Sequence, residues 1–314
     1  MIALIQNELM KIFGKKASWI YLIIIVMAVL IAGIVYLKLS GDSNPNWRQD
    51  TQAEIGMLQN QLQSATEEEK IYIQNQMDQT QEFLDKDINP TAKTNWHFMN
   101  DVVIGVSSLV TLFVVIVGSA NVAAEFSDGT IKQLLIRPHK RWNILLSKYI
   151  AVIIYALLLA ATLIVSGYII GLILFGSGDF NTKIFEVTLE GRKEAVVGTQ
   201  FFLKMLYYLP SLLVIMTIGF MLSTLFKSQA LAVGIGIFVL FFSSTLCGII
   251  LLLSDKYVWA EFLIFPHLDL TVYALQEKIL EDITMPISLS ILAVYYAIFM
   301  IVTFFFFQKR DISI

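Results

Sequence analysis

The chain has 314 residues, of which 57% are hydrophobic and only 15% are charged, and its formal net charge is −3. Soluble domains carry about 25% charged residues, so this composition excludes an ordinary soluble domain and indicates a membrane protein. The single cysteine, Cys247, excludes both a disulfide within the chain and a cysteine-based metal site.

The first predicted element is an amphipathic helix in residues 1–18. Ile5, Leu9 and Ile12 recur at helical spacing, and Glu8 and Lys11 occupy the other face. We expect this helix to lie in the cytoplasmic membrane interface. The alternative is a helical extension of the first span.

Six uncharged apolar stretches follow, each long enough to cross a bilayer, which takes about 20 residues. They lie at approximately 19–37, 102–124, 149–177, 205–226, 228–254 and 286–307. In hydrocarbon each peptide group must be hydrogen-bonded within its own segment, so all six are predicted to be helices. The first span, 19–38, is too long for a typical signal peptide and is interpreted as a retained anchor. Residues 102–314 hold the other five spans.

The polar segment 39–101 separates the first span from the second. It predicts two helices in a hairpin, and Thr66 and Glu69 form a capping box at the start of the second helix. We expect the hairpin to be extracellular, where it is either a solvated spacer or a recognition element.

Two further connections have local patterns. Residues 185–189 predict a β-strand between the third and fourth spans. Residues 255–285 are too short to span and too apolar for an ordinary loop, and Pro266 interrupts them. They predict a re-entrant or interfacial helical pair, since irregular backbone at that depth must pack against protein or a cavity.

Lys and Arg are densest in the short segments that face inward if the N-terminus is cytoplasmic. This distribution predicts that both termini are cytoplasmic. Membrane insertion alone requires such a pattern, so it does not indicate a nucleic-acid partner.

Several chemical motifs are missing from the sequence. It has no G-x-x-x-x-G-K-[ST] phosphate loop, and its three histidines, His97, His139 and His267, are far apart and expected at the surface. The apolar stretches hold no ionisable residue to bind a coupling ion, so the energy source is expected outside this chain. The pairs Gly167/Gly171 and Gly234/Gly236 are interpreted as helix-packing positions.

The loop at 125–148 follows the second span. Gly129 and Thr130 can end one helix and cap the next, and a short amphipathic helix then ends at Pro138. Such a helix is typical of a docking element; the alternative is an ordinary positively charged inner loop.

This loop resembles the type-2 ABC permease family, the membrane subunits of bacterial drug, antibiotic and polysaccharide exporters. The resemblance is carried by Glu125, Gly129, Thr130, Leu134, Leu135 and Pro138. It implies an all-α integral membrane protein of a bacterial plasma membrane, with six transmembrane helices. It also implies a coupling helix at about 128–137, including Arg137, seated in a cytoplasmic ABC ATPase.

In such a complex this chain would not itself be an enzyme. ATP and Mg would be bound by the partner subunits, and a second permease, identical or related, would complete the unit. Substrate would move outward by alternating access.

The spans themselves suggest an apolar route for an amphiphilic or hydrophobic substrate, such as an antimicrobial, a lipid-like compound or a peptide. Hydroxyls that could line this route are Ser107, Ser108, Thr111, Thr162, Ser166, Ser243, Ser244 and Thr245, although such groups more often make contacts between helices. Two other classes remain open: a non-transporting sensor or assembly protein that binds a ligand through its external hairpin, and a membrane-embedded enzyme or ATP-independent carrier.

Overall fold

A computed structural model describes residues 1–41, 43–131, 140–188, 191–254, 256–280 and 283–309. In chain order its helices are α1 (Ile2–Phe13), α2 (Lys16–Leu39), α3 (Trp47–Ser64), α4 (Glu67–Asp85), α5 (Asn95–Ser127), α6 (Arg141–Phe175), α7 (Val197–Leu225), α8 (Gln229–Ser254) and α9 (Met285–Lys309). Within the described ranges six of them, α2 and α5 to α9, are long and apolar enough to cross a membrane. The six predicted spans are therefore confirmed as helices.

The six long helices alternate in direction, so their ends collect at two ends of the bundle. At the end that carries α1, the Ser127 hydroxyl donates to the Lys227 carbonyl at 3.0 Å, and Arg141 donates to the Gln308 carbonyl at 3.2 Å. At the opposite end Tyr36 donates to Asp101 at 3.0 Å. We call these the α1 end and the hairpin end.

Helices α5, α6 and α7 form the centre of the bundle, and about half of each is buried. Large side chains such as Phe98, Tyr155 and Phe220 are fully buried between them. Helices α8 and α9 lie outside this core and expose residues such as Phe241 and Ile301. A helix that is apolar on all sides yet mostly exposed suits contact with lipid.

Glycines allow the central helices to approach closely. A Cβ on Gly167 would lie 2.9 Å from Met99 and Val103 of α5, and one on Gly236 would lie 2.5 Å from the Ser119 hydroxyl. The packing role predicted for Gly167 is thus confirmed. Gly234, in contrast, has nothing within 4 Å of such a Cβ, so within its pair only Gly236 packs against another helix.

Helices α3 and α4 pack against each other as a helical hairpin. At the start of α4 the Glu69 carboxylate accepts a hydrogen bond from the Thr66 backbone N–H at 2.8 Å, as the capping box predicts. The extracellular position of this hairpin stays a prediction.

A small antiparallel β-hairpin departs from a purely α-helical architecture. Its strands are β1 (Lys183–Thr188) and β2 (Gly191–Val196), which pair from Lys183 with Val196 to Thr188 with Gly191. The sequence predicted a strand at 185–189, which β1 largely covers, but it did not predict β2.

The segment before α9 is not the helical pair that the sequence predicted. It forms three short 3-10 helices, Val258–Phe262, Phe265–His267 and Leu270–Ala274. A longer helix is disfavoured for two reasons. Pro266 has no backbone N–H to donate, and the Asp269 carboxylate accepts a hydrogen bond from the Thr271 backbone N–H at 3.0 Å. The segment packs on α7 and α9 through apolar side chains including Leu268 and Leu270.

Helix α1 is separate from α2, so the alternative of a continuous helical extension is wrong. The helical conformation is interrupted at Gly14 and Lys15, and Lys15 has an extended backbone. The polar face of α1 also differs from expectation, because Glu8 is only 4% exposed.

Candidate functional site

A buried ion-pair network lies at the α1 end of the bundle. Its centre is Lys148, whose side chain is fully buried. The Lys148 ammonium lies 2.7 Å from a Glu8 carboxylate oxygen and 2.6 Å from a Glu125 carboxylate oxygen. Removing one partner from such a buried pair leaves an uncompensated charge and typically costs about 3–5 kcal/mol.

A second cation closes the network from the solvent side. The Lys11 ammonium lies 2.8 Å from both Glu8 and Glu125, and its side chain is 42% exposed. Two carboxylates and two ammonium groups thus balance one another in charge. Lys148 is fully enclosed, whereas Lys11 reaches the network from the solvent side.

Three elements that are distant in sequence supply these residues. Glu8 and Lys11 lie three residues apart on α1 and therefore share a face, Glu125 lies near the end of α5, and Lys148 lies near the start of α6. Glu125 and Lys148 flank the connection between α5 and α6. Their ion pair therefore joins the base of that loop and fixes it to α1.

The network also shifts the pKa of its two residues on α1. Burial alone would raise the pKa of the Glu8 carboxyl, but attraction and hydrogen bonds from Lys148 and Lys11 outweigh it and leave this pKa lowered. Burial alone would lower the pKa of Lys11, but its bonds to Glu125 and Glu8 leave it raised. Both groups are consequently charged around neutral pH.

A cavity of about 570 Å³ adjoins the network between α1, α2 and α5. Its polar wall includes Glu125, Asn121 and Lys15, and its apolar wall includes Tyr21 and Ile116. The cavity therefore combines charged groups with an apolar surface continuous with the spans.

The predicted coupling residues fall partly within the described structure. Glu125 belongs to the network; α5 ends at Ser127, and Gly129 has φ 69°, which favours glycine. The Thr130 hydroxyl lies 3.5 Å from the Glu125 carbonyl oxygen. Leu134, Leu135, Arg137 and Pro138 lie outside the described residues, and the coupling role of this loop stays a prediction.

A second polar network lies at the hairpin end. The Lys204 ammonium of α7 lies 2.7 Å from the Glu186 carboxylate of β1 and 3.1 Å from the Asn100 side-chain oxygen. Asn100 donates to Glu186 at 2.7 Å and to Asp101 at 3.0 Å. It lies in a π-helical turn of α5, Met99–Val103, a distortion that often occurs at functional sites.

The two networks correct the expectation that ionisable groups are absent from the bundle. The middle of each span is uncharged as predicted, but Lys148 and Lys204 lie in the third turns of α6 and α7 and are buried. The sequence identified Glu125 and missed Glu8, Lys11 and Lys148. The available signal was the acid–base spacing of Glu8 and Lys11 on a helix otherwise rich in apolar residues.

The hydroxyls predicted to line a pathway lie on three different helices, α5, α6 and α8. Ser108, Thr162, Ser166, Ser243 and Ser244 donate to carbonyl oxygens of their own helices. Thr111 on α5 also pairs with the Tyr208 hydroxyl at 2.9 Å, and Tyr208 donates to the Ser107 carbonyl. Ser243 lines a narrow cleft with Gly236, whereas Thr245 is exposed on α8. Their role in transport stays a prediction.

Two of the histidines expected at the surface are buried. His267 is fully buried, and its ring nitrogens lie 2.7 Å from the Ser288 hydroxyl and 2.7 Å from the Glu261 carbonyl. His97 is 7% exposed and pairs with the Thr94 hydroxyl at 2.9 Å. His267 thus joins the 3-10 segment to α9, whereas His97 lies in the first turn of α5 beside the N-cap residue Thr94. His139 lies outside the described residues.

Six apolar helices, with the buried charges of the described residues near the bundle ends, define a multi-pass helical membrane protein. The chain belongs to the family described as protein of unknown function (DUF2705), which matches residues 55–313. It is similar to the uncharacterized protein YhcI of Bacillus subtilis (strain 168), with 32% identity over 318 residues that cover both chains in full. It is also 30% identical to the uncharacterized membrane protein YdbK of the same organism, over 66% of this chain and 79% of that protein.

These comparisons overturn the resemblance to type-2 ABC permeases. The matching family and both relatives carry no such assignment. The resemblance depended on a short loop pattern in which a glycine and a threonine follow a helix, and such residues end and cap helices in many folds.

Proposed function

We propose that this protein is the membrane subunit of a transport complex that is driven by a separate cytoplasmic ATPase. The observation that carries the proposal is the buried Lys148–Glu125 ion pair, which closes the base of the connection between α5 and α6. Glu8 fixes α1 to the same point at 2.7 Å from Lys148. A partner docked on this connection would therefore act on three elements at once.

The central position of α5 and α6 supports transmission of such a force. Both helices contribute to the buried core, with Val114 and Leu159 among their fully buried residues. A displacement of their joined ends would have to move the core packing, because close-packed interiors shift as rigid units rather than deforming continuously.

The distribution of charge supports an external source of energy. Among the described residues, charged side chains in the helices lie near the ends, and the middle of each span offers no carboxylate or amine to carry a coupling ion. We therefore assign ATP and Mg to the partner subunit, and we propose that both termini face the cytoplasm, where the partner would bind.

The substrate that suits this architecture is an amphiphilic or hydrophobic compound, moved outward by alternating access. The exposed apolar faces of α8 and α9, which include Phe241 and Ile301, could contact lipid or a second copy or relative of this chain. In this proposal the unit contains two membrane subunits and two ATPases.

The test uses two glycines with similar backbone conformations at opposite ends of the bundle. Gly129 and Gly41 have φ 69° and 66°, and a Cβ at either position would have no atom within 4 Å. We expect Gly129→Val to abolish stimulation of a co-purified ATPase by the reconstituted membrane subunit. Gly41→Val, which carries a comparable backbone strain, should leave this stimulation unchanged.

Two results would contradict the proposal. One is uphill transport by the purified chain alone in vesicles. The other is the absence of any nucleotide-hydrolysing protein from complexes isolated from native membranes under conditions that preserve the fold.

A second candidate function is a non-transporting sensor or assembly protein. It is favoured by the contacts that connect the helical hairpin to the bundle. Phe83 of α4 packs against Phe185 of β1 with ring centroids 5.3 Å apart, and β1 in turn holds Lys204 through Glu186. A ligand bound on α3 and α4 could act on the bundle through this path.

A further inference from the structure

We propose that the cavity at the α1 end binds the primary ammonium group of a membrane amphiphile, specifically an aminophospholipid head group. The proposal goes beyond the proposed function and does not depend on it, because binding can be measured with this chain alone. It is based on two hydrogen-bond acceptors on the cavity wall that have no partner among the described residues.

The two acceptors are side-chain oxygens of Glu125 and Asn121. One Glu125 carboxylate oxygen accepts from Lys11 and Lys148, whereas the other is buried and accepts from no described residue. The Asn121 side-chain oxygen is likewise buried without a described partner. A buried polar atom without a partner typically costs about 1–3 kcal/mol, so an occupant that supplies donors would be favoured.

The two residues are placed to act together. They are four residues apart on α5 and therefore share one face of the helix, and both line the cavity of about 570 Å³. Glu125 is 9% exposed, so its free oxygen lies in the enclosed wall of the cavity rather than on the open surface. A primary ammonium has three N–H donors and a positive charge, which suits one carboxylate and one amide oxygen.

The remainder of the cavity indicates an amphiphile rather than a soluble amine. Ala17, Tyr21, Ile116 and Val117 line its apolar wall at the boundary between the apolar spans and the charged network. Lipid head groups lie at this boundary. Its volume is within the range of about 300–1,000 Å³ that is usual for ligand sites.

Two lysines define how the head group would be oriented. Lys15 lines the cavity and is exposed, so it can meet the phosphate of a lipid. Lys11 is half-exposed and already donates to Glu125. Because Lys11 and Lys148 both donate to the same Glu125 oxygen, they can stay in place while the ligand ammonium meets the other oxygen and Asn121.

The test is retention of lipid by the purified chain. The protein is reconstituted in nanodiscs that contain equal amounts of phosphatidylethanolamine and phosphatidylcholine, and the lipids that stay bound are counted by native mass spectrometry. We expect selective retention of phosphatidylethanolamine, because the trimethylammonium of phosphatidylcholine has no N–H donor. Asn121→Leu should weaken this retention about tenfold, the equivalent of one lost hydrogen bond of about 1.4 kcal/mol.

Two further variants keep the test decisive if Asn121→Leu folds poorly. Ile116→Trp preserves both acceptors but fills the cavity and should also abolish selective retention. Gly105→Ala, at an exposed position on the same helix where an added Cβ has no atom within 4 Å, should retain lipid as the unchanged protein does. Thermal unfolding in detergent verifies that each variant is folded.

Three outcomes would overturn the proposal. The first is equal retention of the two lipids by the unchanged protein. The second is undiminished selectivity in folded Ile116→Trp. The third comes from a competition experiment in which free ethanolamine is added at a concentration equal to that of the lipid. If ethanolamine displaces the lipid, the apolar wall contributes nothing to binding and the ligand is not an amphiphile.

Discussion

At the scale of single residues, the charges that organise this protein lie just outside the predicted apolar stretches. Glu125 borders the second stretch, Lys148 the third and Lys204 the fourth. Sequence alone places such residues in loops. They are partly or fully buried because α5, α6 and α7 continue beyond their apolar stretches and are covered by α1 and the β-hairpin. The partners could not be predicted, since Glu8 and Lys148 are far apart in sequence.

Replacing Lys148 tests whether this buried charge stabilises the fold. Lys148→Met would leave Glu8 and Glu125 with only the half-exposed Lys11 as a counterion. We expect a loss of about 3–5 kcal/mol in the free energy of unfolding, measured as a lower denaturation midpoint in detergent. Lys11→Met should cost about 1 kcal/mol or less, since solvent screens an exposed partner. Equal losses in the two variants would contradict the assigned burial.

The shifted pKa values of the network predict how α1 responds to pH. The Glu8 pKa is lowered below its ordinary 4.5, so the stability it contributes is complete above pH 4.5 and is lost as pH falls through the lower folded value. The Lys11 pKa is raised above 10.5, so its contribution is lost only as pH rises beyond that value. Docking of α1 should therefore persist from about pH 5 to pH 10.

Fluorescence can follow this docking through Trp19, whose indole donates to the Phe13 carbonyl at 2.8 Å. We expect a spectral change at acid pH in the unchanged protein. In Glu8→Gln, which cannot titrate at this position, the acid transition should be smaller. An identical transition in both proteins would show that another group controls it.

At the scale of helices and strands, the sequence predicted close helix packing but not which glycines provide it. Gly234 and Gly236 are equivalent in any pattern-based reading, because the direction in which α8 faces α5 depends on the tertiary structure. Only Gly236 approaches α5, where Ser119 and Val115 lie 2.5 Å and 3.1 Å from the position of an added Cβ.

This difference predicts opposite outcomes for one substitution at two neighbouring positions. Gly236→Leu should destabilise the protein by about 1–3 kcal/mol or more, because the added side chain overpacks the α5–α8 contact. In Gly234→Leu the added side chain points into open space. This variant should be neutral or slightly stabilising, since glycine in a helix interior costs about 1 kcal/mol relative to a good helix former. Thermal midpoints in the same detergent would measure both. Comparable destabilisation would show that α8 is oriented differently.

The β-hairpin shows why one strand was predictable and the other was not. β1 contains apolar Phe185 and Val187, whereas β2 carries Arg192, Lys193 and Glu194 in succession. No apolar alternation marks such a strand. β2 is held by tertiary contacts instead, since Glu194 pairs with Lys183 at 2.6 Å.

Removing the cation that anchors β1 should loosen the whole β-hairpin. Lys204→Met leaves Glu186 without its ion pair at 2.7 Å, so we expect faster amide hydrogen exchange across β1 and β2 by about tenfold, a loss of about 1.4 kcal/mol. Lys193→Met, at an exposed position of β2, is the control and should exchange as the unchanged protein does. Unaltered exchange in folded Lys204→Met would mean that packing alone holds the hairpin.

At the scale of the whole molecule, composition and the length of apolar stretches were sufficient to predict a bundle of six spans. This succeeded because hydrocarbon leaves the backbone few alternatives to a helix. The family could not be predicted in the same way. Glu125, Gly129 and Thr130 form a pattern that any helix end followed by a loop can produce, and the comparisons identify a different family.

The orientation of the bundle gives the last prediction. The α3–α4 turn and the start of α6 lie at opposite ends of the bundle, and the positive-inside rule assigns the first to the exterior and the second to the cytoplasm. Ser64 and Lys140 are exposed at these two positions. In a Cys247→Ser background, Ser64→Cys should react with a membrane-impermeant maleimide in intact cells. Lys140→Cys should react only after permeabilisation, because the inner end of the bundle is sealed from the reagent. Reaction of Lys140→Cys alone in intact cells would place the buried Lys148 network outside, where no ATPase could act on it.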